Sequence, residues 1–540
     1  MNVRFNKATE LVELGFSQSS RQLSSPKNKL NSKCCLAISL ALLVGACSSP
    51  SGLSHSKPEA LVDKNIPIKW QSDVITNEVI QVNDGWIKSF NDRGLEELIS
   101  YALQNNYTLN AEKVSVALAK ERINISSSTD LPELSLSLAN SRRKQVTNNT
   151  ASYQTSADLS VDLTYELDLW GKLSDQQNQD RLNYAAAISN YRHSELTLVA
   201  DITKAWFDLT QAQQLLNLYQ ERADNLQRNL SMIQSSYQLG LNDALDVYLT
   251  KNTVNQELAR VADQQHTLNI KSRALELLMG DYPLANRVSE QSLPVISEEI
   301  NLGLPAQLLT RRADIQAGWL ELLALDAGLA VAHKQRFPSF NLNAGLSDSA
   351  NELTNLLNGG ALAWSLIGGI TSPLFNSGRL ESLEAQAKLS VVQKEKQYLQ
   401  QVYQAFADVE NSVSERESLN QQYSFYLKAQ ENAIAAEKLS FDQYLRGLVT
   451  YTTVLESQRR SFDAQTTVIQ LTNQLLQNRI EIYLALGGDY LDTKNQLSNK
   501  EVQNSQIANY PKNDNQRIDN PKTSGNSLPT SLINRTSMEK

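Results

Sequence analysis

The punctuation of this 540-residue chain is written twice. Gly171 in "DLWGKL" recurs as Gly378 in "LFNSGRL", and Gly240 in "YQLGLNDALDV" as Gly447 in "YLRGLVTYTTV". Gly280 in "LMGDY" recurs as Gly487 in "LGGDY", and all three intervals are 207 residues. Leu131-Pro132 and Phe337-Pro338 keep nearly the same interval, 206. Side-chain identity between the halves is low. A fixed spacing of landmarks nevertheless demands one architecture used twice, here over 61–283 and 284–490.

Each half has the same plan. Alternating runs come first: "ELSLSLA" from Glu133 and "ADLSVDLTYELDLW" from Ala157 to Trp170, then "FNLNAGL" from Phe340 and "GALAWSLIGGITSPLF" from Gly360 to Phe375. Period-2 alternation predicts strands with one apolar and one polar face. Ser135, Ser137, Ser160, Asp162, Thr164, Glu166 and Asp168 are the polar members.

Long helices follow, expected near 174–239, 242–279, 379–446 and 449–486. In the first, Ile202, Ala205, Leu209, Ala212, Leu216, Tyr219, Ala223, Leu226, Leu230, Ile233 and Tyr237 alternate spacings of three and four. That is a coiled-coil seam over five heptads. Val247, Val254, Val261, Leu268 and Leu275 recur every seven residues, as do Leu455, Phe462, Ile469, Leu476 and Tyr483. Gln, Asn, Asp, Glu, Lys and Ser fill most positions between them, so each helix buries a stripe and wets the rest. A helix of about 65 residues reaches roughly 100 Å, beyond any ordinary globular core.

The amino terminus carries a different signal. The apolar run from Cys34 to Ala46 has 13 residues, whereas a membrane-spanning helix needs about 20. Arg21, Lys27, Lys29 and Lys33 precede it as the cationic side of an export signal. Val44-Gly45-Ala46-Cys47 resembles the lipobox of bacterial lipoproteins, which implies a signal peptide over 1–46 and acyl chains on Cys47. Two or three chains anchor firmly where one is marginal. Ser48 stands where lipoproteins retained at the inner membrane usually carry Asp, which favours the outer membrane. The long stretch ahead of the apolar core suggests a true start downstream of Met1. Residues 47–60 are expected to be the acylated anchor and spacer, and 491–540, polar and poor in large apolar groups, a disordered tail.

Little chemistry is written elsewhere. All three cysteines lie at or before position 47, and His55, His193, His266 and His333 have no paired spacing. No phosphate-binding loop, GxSxG or GxGxxG occurs. No metal site, cofactor other than the lipid, or enzymatic activity is expected. A net charge of −8 and a pI near 5.3 argue against nucleic acid as a partner. A dimeric coiled-coil scaffold does not need the strands, and a soluble β-sandwich does not need the lipobox. Open strand edges are not tolerated in a membrane. Four membrane-length strands fall short of the eight of the smallest common barrels, so several chains are expected to close one barrel together.

These residues resemble the TolC-type outer-membrane efflux factors, in their lipid-anchored OprM-like branch, from about Trp86 to Tyr490. The carriers are "ELDLWGKL" from Glu166, the two glycine-turn motifs, "RFPSFNL" from Arg336 and "WIKSFNDRGLEELISYALQNN" from Trp86. "RRADI" from Arg311 is similar to a family motif, with Ala313 where Pro is usual. The resemblance implies an α+β membrane protein, a homotrimer. It would have a 12-stranded transmembrane β-barrel, four strands per chain, continuous with a long periplasmic α-helical barrel. A mixed equatorial region near 60–100, 285–335 and after Tyr490 would girdle it.

The implied function is a passive duct in the outer membrane of a Gram-negative bacterium, docked on a periplasmic adaptor and an inner-membrane pump. The resemblance places adaptor contacts on Leu239, Gly240 and Leu241 and on Arg446, Gly447, Leu448 and Val449. It places the channel gate at Asp246, Glu456 and Thr453. Thr453 stands where a second acidic residue is common, and Val449 where a latch Arg is found. A drug or metal efflux duct is favoured by the lipobox. The alternatives are the duct of an ATP-driven polypeptide exporter and a non-conducting lipoprotein scaffold.

Overall fold

The computed structural model describes Pro58, Trp70, Gln71 and residues 84–491, apart from 242, 290–291, 296–299, 301 and 359–361. Cys47, the expected signal peptide and the tail beyond Leu491 lie outside the described residues.

A 3-10 turn (Trp86–Phe90) leads into α1 (Arg93–Asn105) and α2 (Tyr107–Ser128). Strands β1 (Glu133–Thr147) and β2 (Thr150–Leu167) precede α3 (Lys172–Gln238) and α4 (Ala244–Met279). Then come α5 (Ala313–Lys334), β3 (Ser339–Ala350), β4 (Ala363–Thr371), α6 (Arg379–Leu445) and α7 (Tyr451–Ala485). Helices α3 and α6 are each 67 residues long, about 100 Å at 1.5 Å per residue. The seam positions Ile202, Leu209, Leu216, Ala223, Leu226 and Ile233 are buried, while Tyr237, near the turn, is exposed.

The four strands form one antiparallel sheet in the order β1-β2-β3-β4. Its register separates the faces. Leu136 pairs with Val161, Val161 with Leu346, and Leu346 with Trp364. One row away Ser135, Asp162, Gly345 and Ser365 are aligned on the opposite face. The apolar face is uncovered: Leu136 is 72% exposed and Trp364 79%. A β-sandwich would bury that face against a second sheet. At the helix end of the sheet, Trp170 Nε1 donates to the Pro338 carbonyl at 2.6 Å and its ring packs on Phe337 and Phe340.

The strands depart from the sequence expectation at several ends; β3, for one, runs on to Ala350 and β2 stops at Leu167. β1 runs on to Thr147 and β2 starts at Thr150, seven residues ahead of Ala157. Asn148-Asn149 makes the turn with both φ positive, 50° and 68°, as a two-residue hairpin turn of primed type requires. The added segments lack apolar alternation, so a period-2 search misses them. β4 is shorter than expected and ends at Thr371 rather than Phe375.

Residues 313–334, expected in the equatorial region, form the 22-residue helix α5 packed along α3 and α6. Its composition would suit a membrane span, but Ile315, Trp319, Leu322 and Leu329 are buried in the core with Tyr398 and Val402. Apolar residues on most faces leave no stripe to read. A second core joins the amino-terminal segment to the helices. Trp86 stacks on Tyr483 (5.6 Å, 11°) and Phe90 packs on Phe207 at 5.0 Å. Asp92 caps α1 through the Leu95 amide and accepts from Trp206 Nε1 at 2.7 Å. Asp84, Arg311, Arg192, Asp489 and Glu195 tie the ends of the halves together: Arg311–Asp84 and Arg192–Asp489 are both 2.6 Å, and Tyr490 donates to Glu195 at 2.7 Å.

Candidate functional site

The two helical hairpins turn at their ends furthest from the sheet, and the turns are built alike. Gly240 has φ 73° and Gly447 φ 72°, a left-handed conformation that costs glycine little. The Leu241 amide donates to the Ser236 carbonyl and the Gly240 amide to Tyr237, both at 2.9 Å. Leu448 donates to Gln443 at 2.9 Å and Gly447 to Tyr444 at 2.8 Å. Each is a paired closure that satisfies the last carbonyls of the incoming helix. The outgoing helices begin at Asp243, whose carboxylate accepts from the Leu245 amide at 3.1 Å, and at Thr450.

This geometry holds apolar side chains in water. Leu239, Leu241 and Leu448 are between 70% and 75% exposed. Arg446 is exposed beside them and Val449 half-buried. Just behind, a small core joins the hairpins: Ile233 from α3, Val247 from α4, and Tyr451 and Val454 from α7. Tyr451 is fully buried, with its ring 5.1 Å from Tyr444.

The acidic positions differ in their surroundings. Asp246 is half-buried in the first turn of α4, and burial, with Asp243 adding, raises its pKa. Burial likewise pushes the Tyr451 phenol up to about 12, with the charge of Asp246 contributing. Asp246 and Tyr451 therefore share one neighbourhood, which sequence spacing did not reveal. Glu456 is held by its own helix. It accepts from Arg459 at 2.9 and 3.0 Å and from Arg460 at 2.8 Å, which lowers its pKa to about 2. Both arginines stand at i+3 and i+4, a signal present in the sequence. Thr453 is exposed, with its hydroxyl 3.3 Å from that of Thr450.

Further up the same hairpin, Arg222 of α3 pairs with the buried Glu257 of α4 at 3.2 Å. Arg222 also lies over the Phe462 ring at 4.1 Å, so α3, α4 and α7 meet there. Among the described residues no cluster of three His, Cys, Asp or Glu side chains is arranged to hold a metal.

The family described as outer membrane efflux protein matches residues 98–281 and again 304–488. The chain belongs to that family. It is an outer-membrane protein with transmembrane β-strands. Over 85% of its length it is 28% identical to a probable outer membrane lipoprotein, SilC, of Salmonella typhimurium, covering 99% of that protein. It is 28% identical to the cation efflux system protein CusC of Escherichia coli K12, over 78% of this chain and 94% of CusC. The toluene efflux pump outer membrane protein TtgF of Pseudomonas putida is also 28% identical, over 84% and 96%. Among solved structures, the Campylobacter jejuni CmeC outer membrane channel has the same fold. Its TM-score is 0.76 at 20% identity, covering 82% of this chain and 96% of CmeC.

Membership of the family gives the sheet its orientation. The apolar face carrying Leu136 and Trp364 is the lipid face, and the helices run to the periplasmic side with Leu239 and Leu448 at their tips.

Proposed function

We propose that three copies of this chain close a 12-stranded barrel and a helical barrel beneath it. Together they form a passive duct that carries small toxic compounds, ions or drugs, from a periplasmic adaptor and inner-membrane pump to the exterior. The chain is built from two structural repeats, is anchored by acyl chains on Cys47, and performs no enzymatic step. The observation that carries the reading is the sheet. It has a bare apolar face, a polar face and, among the described residues, one unpaired edge on β1 and another on β4. Unpaired edges cannot face hydrocarbon, and four strands are half of the smallest common barrel. Symmetric copies pairing β4 to β1 remove both faults at once.

The lumen takes Ser135, Asp162, Thr164 and Glu166, and the pump upstream decides what enters it. The exposed leucines at the tips are the docking surface, and Asp246 supplies the gate with its least compensated charge. Glu456 acts there as an internally matched ion cluster with Arg459 and Arg460.

A photo-crosslinking residue at Leu448, in cells, tests this reading. Capture of a periplasmic adaptor belonging to a proton-driven pump is the expected result. Capture of an adaptor from an ATP-driven exporter would move the cargo to polypeptides or other exported molecules. No capture at Leu448, with capture from a control position, would contradict docking at the tips.

A further inference from the structure

The β1–β2 hairpin outgrows the sheet. β3 accompanies β2 only as far as the Ala157–Ala350 pair, whereas β1 and β2 continue for seven more pairs, from Ser141–Ser156 to Thr147–Thr150. This ribbon lies at the end of the sheet away from the helices, since α2 leads into β1 and α3 leaves β2. It therefore stands at the cell exterior. Alternation carries the lipid face upward along β1, from Leu134, Leu136 and Leu138 to Arg142 and Lys144. Lys144 pairs with Tyr153 across the ribbon. Both cations lie over that ring, Arg142 at 5.2 Å and Lys144 at 5.7 Å from its centroid.

Height decides what they meet. Arg142 is four residues beyond Leu138, about 13 Å along the strand and roughly 10 Å along the membrane normal at the usual tilt. The polar layer of a leaflet is about 5–7 Å deep, and long basic side chains reach several Å down to it. The outer leaflet at this level holds the phosphates of an anionic glycolipid. We propose that Arg142, Lys144 and Tyr153 form a binding site for those glycolipid phosphates, a proposal that rests on the outer-membrane barrel reading. Guanidinium and ammonium groups make charge-assisted bonds to phosphate oxygens, and stacking on Tyr153 holds both cations in place beforehand.

Two neighbouring charges sharpen the assignment. Asp348 is the nearby carboxylate on the same face, one strand further and opposite Leu159. It is buried and accepts the Leu357 amide at 2.7 Å, so its charge is engaged by the loop. Arg143 pairs with Gln154 on the lumenal face and serves as an internal control.

The test is native mass spectrometry of the full-length detergent-solubilised protein titrated with bisphosphorylated lipid A, its dephosphorylated form, and phosphatidylglycerol. The parent is expected to bind lipid A at least tenfold more tightly than the dephosphorylated form. Arg142→Ser with Lys144→Ser should abolish the difference, and Arg143→Ser should leave it unchanged. Equal binding of both lipid A forms, full binding by the double variant, or equal affinity for phosphatidylglycerol would overturn the site. The same spectra report assembly. A parent that stays monomeric overturns the barrel reading and the site with it, whereas an oligomer indifferent to phosphate overturns the site alone.

Discussion

Asp246 and Glu456 lie near the tips of different hairpins, and their surroundings push them in opposite directions. Arg459 and Arg460 hold Glu456 ionised down to about pH 2. What it adds to tip stability is present above the ordinary glutamate range and lost as pH falls towards 2. Burial and Asp243 raise the pKa of Asp246. Its contribution is present below the ordinary aspartate value and lost as pH rises through the raised one. On acidification Asp246 takes up its proton before an ordinary aspartate would, in the range where Glu456 still keeps its charge. Cation selectivity in a planar bilayer should therefore fall over that range. Asp246→Asn should give a low, flat profile, and Glu456→Gln the parent's slope. A parent-like slope in Asp246→Asn would contradict the assignment. At this scale the family resemblance, counted from the two turn glycines, pointed to both carboxylates. The arginine clamp went unread, although its i+3 and i+4 spacing is local. Tyr451 beside Asp246 joins α7 to α4 across about 200 residues of chain, and no spacing rule reaches that far.

Elements that bury a single stripe were readable. The ends of α3, α4, α6 and α7 fall within two residues of the expected bounds, because heptads advertise a helix and glycines stop it. Elements without contrast were not. Helix α5 is apolar on most faces, and the ribbon at 140–156 is polar on both. The repeated glycines themselves divide by context. At Gly447 an added Cβ would meet nothing within 4 Å, whereas at Gly280 (φ 79°) it would sit 2.5 Å from the Asn105 carbonyl oxygen. There the end of α4 abuts the junction of α1 and α2, where Asn106 Nδ2 donates to the Leu278 carbonyl at 2.8 Å. Gly447→Ala should cost about 1 kcal/mol, the left-handed penalty alone. Gly280→Ala should cost about 3 kcal/mol, since backbone must also move. Thermal unfolding followed by circular dichroism should rank them so. Equal losses would mean that the close approach at Asn105 relaxes freely.

At the scale of the whole molecule, the proposed duct needs more than one chain. The chain's sheet is too narrow to close and its helices α2 and α6 leave Val114, Leu118, Phe425 and Leu439 exposed, surfaces that the proposed neighbouring copies would cover. The number of strands was countable in the sequence, and the expectation of closure by copies rests on the intolerance of hydrocarbon for unpaired backbone. The tips, where Tyr451 locks one hairpin to the other, are where such an assembly would narrow. The decisive measurement is the single-channel current of purified full-length protein and of Tyr451→Ala in a planar bilayer. Both should give discrete steps, larger in Tyr451→Ala because its tips are no longer held together. A membrane that stays silent with both proteins shown to be inserted would contradict a conducting channel.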